Sequence, residues 1–177
     1  MGSEEVTGED LVAALSERGH TIAVAESLTG GLLASAIVDV AGASQVFQAG
    51  IVAYQDELKA DLLGVDRALL AQYGAVSEQV AEAMAIGARS RAGADWAIAT
   101  TGVAGPEPSE GKPVGTVCLA VAQMSAQSGE EVTHSTVLHI QGSRSAIRSQ
   151  SVTAALALAL GAIVDPHRPI TDARGTV

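Results

Sequence analysis

The sequence is poor in cysteine, aromatic side chains, positive charge and long apolar runs, and each shortage excludes something. Its one cysteine, Cys118, leaves no intrachain disulfide and no Cys-rich metal site, and fits a reducing compartment. Aromatic residues are 2% of the chain, so a core has to be built from Val, Leu, Ile and close backbone contacts. Lys and Arg number 10 against 20 Asp and Glu, and the net charge of −10 opposes binding to a phosphate polymer. Nucleic acid is therefore not an expected partner, and an anionic substrate has to be held by a few local cations and backbone amides. The most apolar stretch, Val152–Val164, has thirteen residues, short of the ~20 that a membrane-spanning helix needs. It reads as a buried helix, and no membrane partner is expected. Met1 to Asp10 is acidic and polar with no basic segment before an apolar run, so the expectation is no secretory signal and a cytoplasmic location. The histidines, His20, His134, His139 and His167, are scattered without paired spacing, so neither a metal nor another cofactor is expected.

What is present is a core. With 177 residues, 47% of them hydrophobic and 17% charged, the chain predicts one domain that buries roughly 70% of its unfolded surface. Leu11, Val12 and Leu15 share a face of a helix over Glu9–Arg18, which Gly19 ends. Thr21–Ala25 reads as a buried strand, and Leu32–Val38 as a helix entered through a Ser/Gly turn. Val46–Tyr54 predicts a second extended segment, then short helices over Gln55–Leu63 and Arg67–Tyr73. Ser77 reads as the N-cap of a helix to about Arg91. Asp95–Thr101 is a third strand, Val114–Gln123 and Val132–Ile140 an antiparallel pair, and Arg144–Val164 a last helix. The alternation predicts an α/β fold, a single domain over residues 1–164 with a mixed sheet covered on both faces, and a flexible tail over 165–177.

Four segments carry candidate chemistry. Glu26-Ser27-Leu28-Thr29-Gly30-Gly31 lies where a strand gives way to a helix, which puts a serine hydroxyl near a helix N-terminus; a plain cap and turn is the alternative. Tyr54 and Lys59 lie close together, and a buried lysine can act as base for a serine, with a tyrosine to orient or relay the proton. A solvated charge on an acidic helix is the other reading of Lys59. Thr100-Thr101-Gly102-Val103-Ala104-Gly105-Pro106, running on to Lys112-Pro113-Val114-Gly115-Thr116, is a Gly-rich loop at a strand end, fit to cradle a phosphate or an oxyanion. It lacks the spacing of a Walker loop or a dinucleotide fingerprint. Arg144 and Arg148 are four apart on one helical face, suited either to a phosphate or to pairing with acidic side chains. Cys118 reads as inert core.

In this order the segments resemble the CinA C-terminal domain family, from about Leu11 to Leu160. The most specific matches are Ala25 to Gly31, Gly50 to Tyr54 with Lys59, Gly74 to Ser77, Thr101 to Pro106, and Lys112 to Val117. The resemblance implies a three-layer α/β/α domain. It also implies hydrolysis of the carboxamide of nicotinamide mononucleotide to nicotinate mononucleotide and ammonia, without metal or cofactor. Ser27 is then the nucleophile, Lys59 the base and Tyr54 its partner. Glu26, Thr29, Gly30, Gly31, Thr101, Gly102, Ala104 and Gly105 line the substrate or stabilise the oxyanion, and Arg144 and Arg148 face the phosphate. A homo-oligomer, with a dimer favoured, follows from the resemblance and the apolar last helix. The chain lacks the large N-terminal domain of full-length CinA proteins and looks like the stand-alone form. Asp56 stands where asparagine is common, and a carboxylate there opposes Lys59 as a base. Ser143 replaces a frequent Asp, and Glu107-Pro108 a glycine pair. A non-catalytic nucleotide-binding or competence-associated module, and an amidase for another small amide, are the competing readings.

Overall fold

Local sequence sets most element ends. Thr7 and Asp10 form a reciprocal capping box at the start of the first helix, and Gly19, in the left-handed region, closes it. Asp66, Ser77 and Ser143 cap three further helices with their own side chains. In chain order the elements are α1 (Gly8–Arg18), β1 (Ile22–Glu26), α2 (Leu32–Val38), β2 (Phe47–Val52), α3 (Asp56–Leu63), α4 (Arg67–Tyr73), α5 (Glu78–Ala92), β3 (Trp96–Gly102), β4 (Thr116–Met124), β5 (Glu131–His139) and α6 (Arg144–Val164). The computed structural model describes residues 5–125 and 127–165. A short 3-10 turn, Ala43–Gln45, precedes β2 and was not expected. The expected tail lies, beyond Asp165, outside the described residues.

The fold is α/β, built on one mixed five-stranded sheet in the order β2-β1-β3-β4-β5. Strand β1 runs parallel to both β2 and β3, whereas β3, β4 and β5 are successively antiparallel. All five residues of β1 are buried, as befits a strand paired and covered on both sides.

The two faces of this sheet differ in size of side chain. Ile22, Val24, Ile98, Val117, Leu119 and Val121 meet α1, α2 and α6. Ala23, Ala25, Ala97, Ala99, Cys118, Ala120 and Ala122 meet α5 and its neighbours. An alanine surface lets a helix lie close, and α5 answers with Ala81, Ala85 and Ala88. On its other flank, Gly87 would carry a Cβ only 1.8 Å from the Leu63 carbonyl oxygen, so glycine is what lets α3 dock on α5. Helix α6 is long and apolar enough to cross a membrane by length and composition. One stripe of it, from Ile147 through Ala155 and Ala159 to Ile163, packs into the core.

Candidate functional site

From β1 the chain passes by α2 to β2 on one side, and then by α3, α4 and α5 to β3 on the other. The carboxyl ends of β1 and β3 therefore flank a topological switch point, where open α/β sheets leave a crevice. A cleft of about 450 Å³ opens there, within the usual range for small-molecule sites. Its walls are the turn after β1, the start of α3, the approach to α5, the loop after β3, and Arg144 at the head of α6.

Ser27 is the first residue past β1. Its backbone N–H donates to the Thr100 carbonyl at 2.9 Å, and its own carbonyl accepts from Gly30 N–H at 3.1 Å. Gly30 and Gly31 then take φ of +58° and +100°, a reversal that side chains other than glycine resist. The Ser27 side chain lines the cleft, and its hydroxyl has no hydrogen-bond partner within the protein among the described residues. The next amide, Leu28 N–H, is likewise unclaimed by any acceptor among them.

Behind the serine stands a support that sequence reasoning assigned to the substrate. Glu26 is buried, and its carboxylate accepts from Gly31 N–H at 3.1 Å, Leu33 N–H at 3.0 Å and Ala34 N–H at 2.8 Å. It caps α2 from the preceding strand, because the N-cap residue itself, Gly31, has no side chain to do so. Thr29 is buried too, its hydroxyl 2.7 Å from that of Thr100. Arg148, expected at a phosphate, instead donates from Nε to the Leu28 carbonyl at 2.8 Å and from Nη2 to the Thr29 carbonyl at 2.9 Å. Glu26, Thr29, Gly30, Gly31 and Arg148 thus hold the serine turn from behind and do not line the cleft.

Lys59 is 1% exposed, which removes its reading as a solvated charge. It sits in α3, and its Nζ donates to the Tyr54 carbonyl at 3.2 Å and to Asp56 Oδ1 at 3.3 Å. Asp56 is about half exposed, so the pair reaches from the protein interior to the cleft mouth. Tyr54 therefore meets the lysine through its backbone. Its hydroxyl accepts from Arg144 Nη2 at 3.1 Å, and Arg144 Nη1 donates to the Gly105 carbonyl at 2.6 Å. Arg144 accordingly ties the start of α3 to the loop after β3.

In that loop, Thr101 donates its hydroxyl to the Ala75 carbonyl at 2.8 Å, so its side chain braces the approach to α5. A Cβ on Gly102 would lie 2.7 Å from the Thr116 carbonyl and 3.1 Å from Leu28, which makes glycine the residue that fits. Ala104 is buried, and Gly105 turns at φ +87°. Ser27, Tyr54, Lys59, Thr101, Gly102, Ala104, Gly105 and Arg144 thus meet at one cleft. Sequence reasoning singled out Glu107 as a departure in the loop but missed Glu57 and Glu110, which line the cleft with it. Glu110 has φ +51° and accepts from Val76 N–H at 3.5 Å, a long-range contact with no local signature. Cys118 stays buried under α5, and burial pushes its thiol up to about 11. Among the described residues, no cluster of His, Cys, Asp and Glu is arranged to hold a metal ion.

Comparison with known proteins places the chain among relatives. The family model described as the CinA C-terminal domain matches residues 4–163. A CinA-like protein of Frankia casuarinae is 48% identical over 157 residues, spanning 89% of this chain and 35% of that protein. A CinA-like protein of Mycolicibacterium paratuberculosis is 50% identical over 151 residues, spanning 85% and 34% respectively. The chain thus covers about a third of the length of these curated relatives. The crystal structure of a CinA superfamily protein from Klebsiella pneumoniae superposes with TM-score 0.80 at 35% identity, covering 89% of this chain and 95% of that one. A competence/damage inducible protein from Agrobacterium tumefaciens gives 0.78 at 37% identity, covering 93% and 99%.

Proposed function

Because this chain belongs to the CinA C-terminal domain family, we propose that it is an amidohydrolase that releases ammonia from the ring carboxamide of a pyridine nucleotide. Nicotinamide mononucleotide is the substrate, and the product is nicotinate mononucleotide. The observation that carries this reading is the convergence of Ser27, with its unengaged hydroxyl, and the buried amine of Lys59 on one cleft.

A carboxamide is a poor electrophile, so its hydrolysis calls for an activated nucleophile and for donors already aimed at the oxyanion. In the proposed reaction Lys59 takes the proton from Ser27 as Oγ attacks the carboxamide carbon. The oxygen turns negative as the tetrahedral intermediate forms, and in this reading Leu28 N–H, the amide after the nucleophile and unclaimed by any acceptor among the described residues, donates to it. Collapse breaks the C–N bond, with the lysine returning its proton so that nitrogen leaves as ammonia. Water, deprotonated by the same amine, then cleaves the acyl-serine ester. The reading includes a cytoplasmic setting, in keeping with a lone thiol, and assembly as a homodimer.

The test is ammonia release from nicotinamide mononucleotide by the purified protein beside Ser27→Ala. Loss of at least ~1,000-fold in the variant, with unchanged melting, is expected; equal turnover in both proteins refutes the assignment. A second reading rests on Asp56, whose carboxylate engages Nζ of Lys59 at 3.3 Å, a pairing that suits a module that binds its ligand without turnover. Saturable binding by a parent protein that releases no ammonia would favour it.

A further inference from the structure

The floor of the cleft is covered while one of its walls is lightly held. Ser27 is 8% exposed and Lys59 1%, with Leu28, Ala75, Val76 and Ala104 buried around them. In the loop after β3, residues 106–111 are all exposed, yet Glu107, Ser109 and Glu110 among them line the cleft. The two roots of this stretch are fixed, by Arg144 on the Gly105 carbonyl at 2.6 Å and by Thr116 N–H on the Pro113 carbonyl at 3.2 Å. Its tip is stiff within itself. Ser109 N–H donates to the Lys112 carbonyl at 3.2 Å and Lys112 N–H to the Ser109 carbonyl at 2.8 Å, which closes a two-residue turn with Glu110 and Gly111 both at positive φ, +51° and +71°. Among the described residues, the one hydrogen bond from residues 107–112 to another part of the fold is the long one that Glu110 Oε2 accepts from Val76 N–H at 3.5 Å. The receiving side is anchored: Ser77 Oγ donates to the Gly74 carbonyl at 2.9 Å, and Thr101 Oγ1 to the Ala75 carbonyl at 2.8 Å. Gly74 leaves room for the carboxylate, since a Cβ there would lie 2.7 Å from Glu110 Oε2. A stiff, exposed tip tied by one long bond belongs to the low-stability end of a fold, from which moving segments over sites are drawn.

We propose that residues 106–112 form a strap that lifts from the cleft to admit substrate and release product, and that Glu110 is its latch, holding it shut on the backbone ahead of α5. The strap governs access to Ser27 and adds no group to the reaction. It rests on the hydrolase reading for the identity of what passes and on the contacts above for the motion.

The experiment locks the strap. A Cβ at Gly74 would stand 3.9 Å from that of Glu110, inside the about 3.5–4.5 Å that a disulfide spans, and the native thiol, Cys118, is buried. Gly74→Cys combined with Glu110→Cys is expected to bridge on oxidation and to open again with a phosphine. Ammonia release from nicotinamide mononucleotide should fall at least ~20-fold in the bridged protein and return on reduction. Bridged protein that turns over as fast as reduced overturns the proposal, and so does a pair that fails to bridge. Access is also read without turnover, from the rate at which iodoacetamide alkylates position 27 in a Ser27→Cys background, followed by peptide mass spectrometry; it should be at least ~10-fold slower in the bridged form. If the reduced protein releases no ammonia, the hydrolase reading fails by itself and alkylation decides the strap, equal rates in the two forms overturning it. Because a side chain at position 74 has to take a positive φ, Glu110→Ala is the second variant. Loss of the latch should speed alkylation at position 27 by about threefold, and an unchanged rate overturns the proposal.

Discussion

Replacing Glu26 by Gln tests the support of the serine turn. The side chain is 1% exposed and accepts three backbone N–H groups at the start of α2, from Gly31, Leu33 and Ala34. A hydrogen bond to a charged group contributes about 1.5–3 kcal/mol, and loss of a helix cap costs about 1–2 kcal/mol. The three bonds share one carboxylate and are not additive, so complete removal should cost about 3–5 kcal/mol. Glutamine keeps one acceptor oxygen but turns an amide NH2 toward backbone donors, for an expected loss of about 2–3 kcal/mol. At about 2–4 °C per kcal/mol for a chain of this size, the melting temperature should fall by about 4–12 °C. Urea denaturation followed by circular dichroism, together with calorimetric melting, measures both quantities. Turnover should fall with them, since Ser27 adjoins Glu26 in the displaced turn. A shift below about 1 kcal/mol, especially with a raised KM, would refute the capping role and return Glu26 to the substrate.

Other outcomes follow from the same contacts. Lys59→Met replaces a buried amine by an apolar side chain of similar length, so ammonia release should vanish while stability in urea is kept or rises by about 1 kcal/mol; a folded variant that turns over substrate refutes the lysine base. Arg148→Ala removes two bonds to the Leu28 and Thr29 carbonyls and should lower kcat by about tenfold. A positioning role predicts equal losses on substrates with and without a phosphate, whereas a phosphate contact predicts a KM effect on the phosphorylated one alone. Cys118 ionises at about 11 in the fold against 9.0 unperturbed. Because the folded value is raised, its contribution is complete below pH 9 and is lost as pH rises toward 11, by up to about 3 kcal/mol. Cys118→Ala should flatten that part of the stability curve in urea titrations, and an unchanged slope would refute the assignment.

The elements were legible because their signals are local. Ser77 before an apolar helix, Gly19 after one, and Arg67 to Tyr73 between Asp66 and Gly74 each announce an end within a few residues. Strand limits moved by one or two residues, as at β1, where Glu26 belongs to the strand and not to the turn. That shift matters, because it puts the Glu26 carboxylate beneath α2 and leaves Ser27 as the first residue of the turn.

By itself, then, the sequence determined the α/β alternation, the caps, the family, and the set of segments that meet at the cleft, all of which depend on spacing along the chain. Only tertiary structure decided which members of those segments face the cleft. Periodicity puts Arg144 and Arg148 on one face of α6, yet one reaches Tyr54 and the other the back of the serine turn, because β1, α3 and the loop after β3 converge at different heights along that helix. Tertiary packing likewise made Lys59, which the sequence leaves open as a solvated side chain on an acidic helix, an interior one. Gly87 lets α3 lie close on α5, and the distance between two helices is written in no single segment.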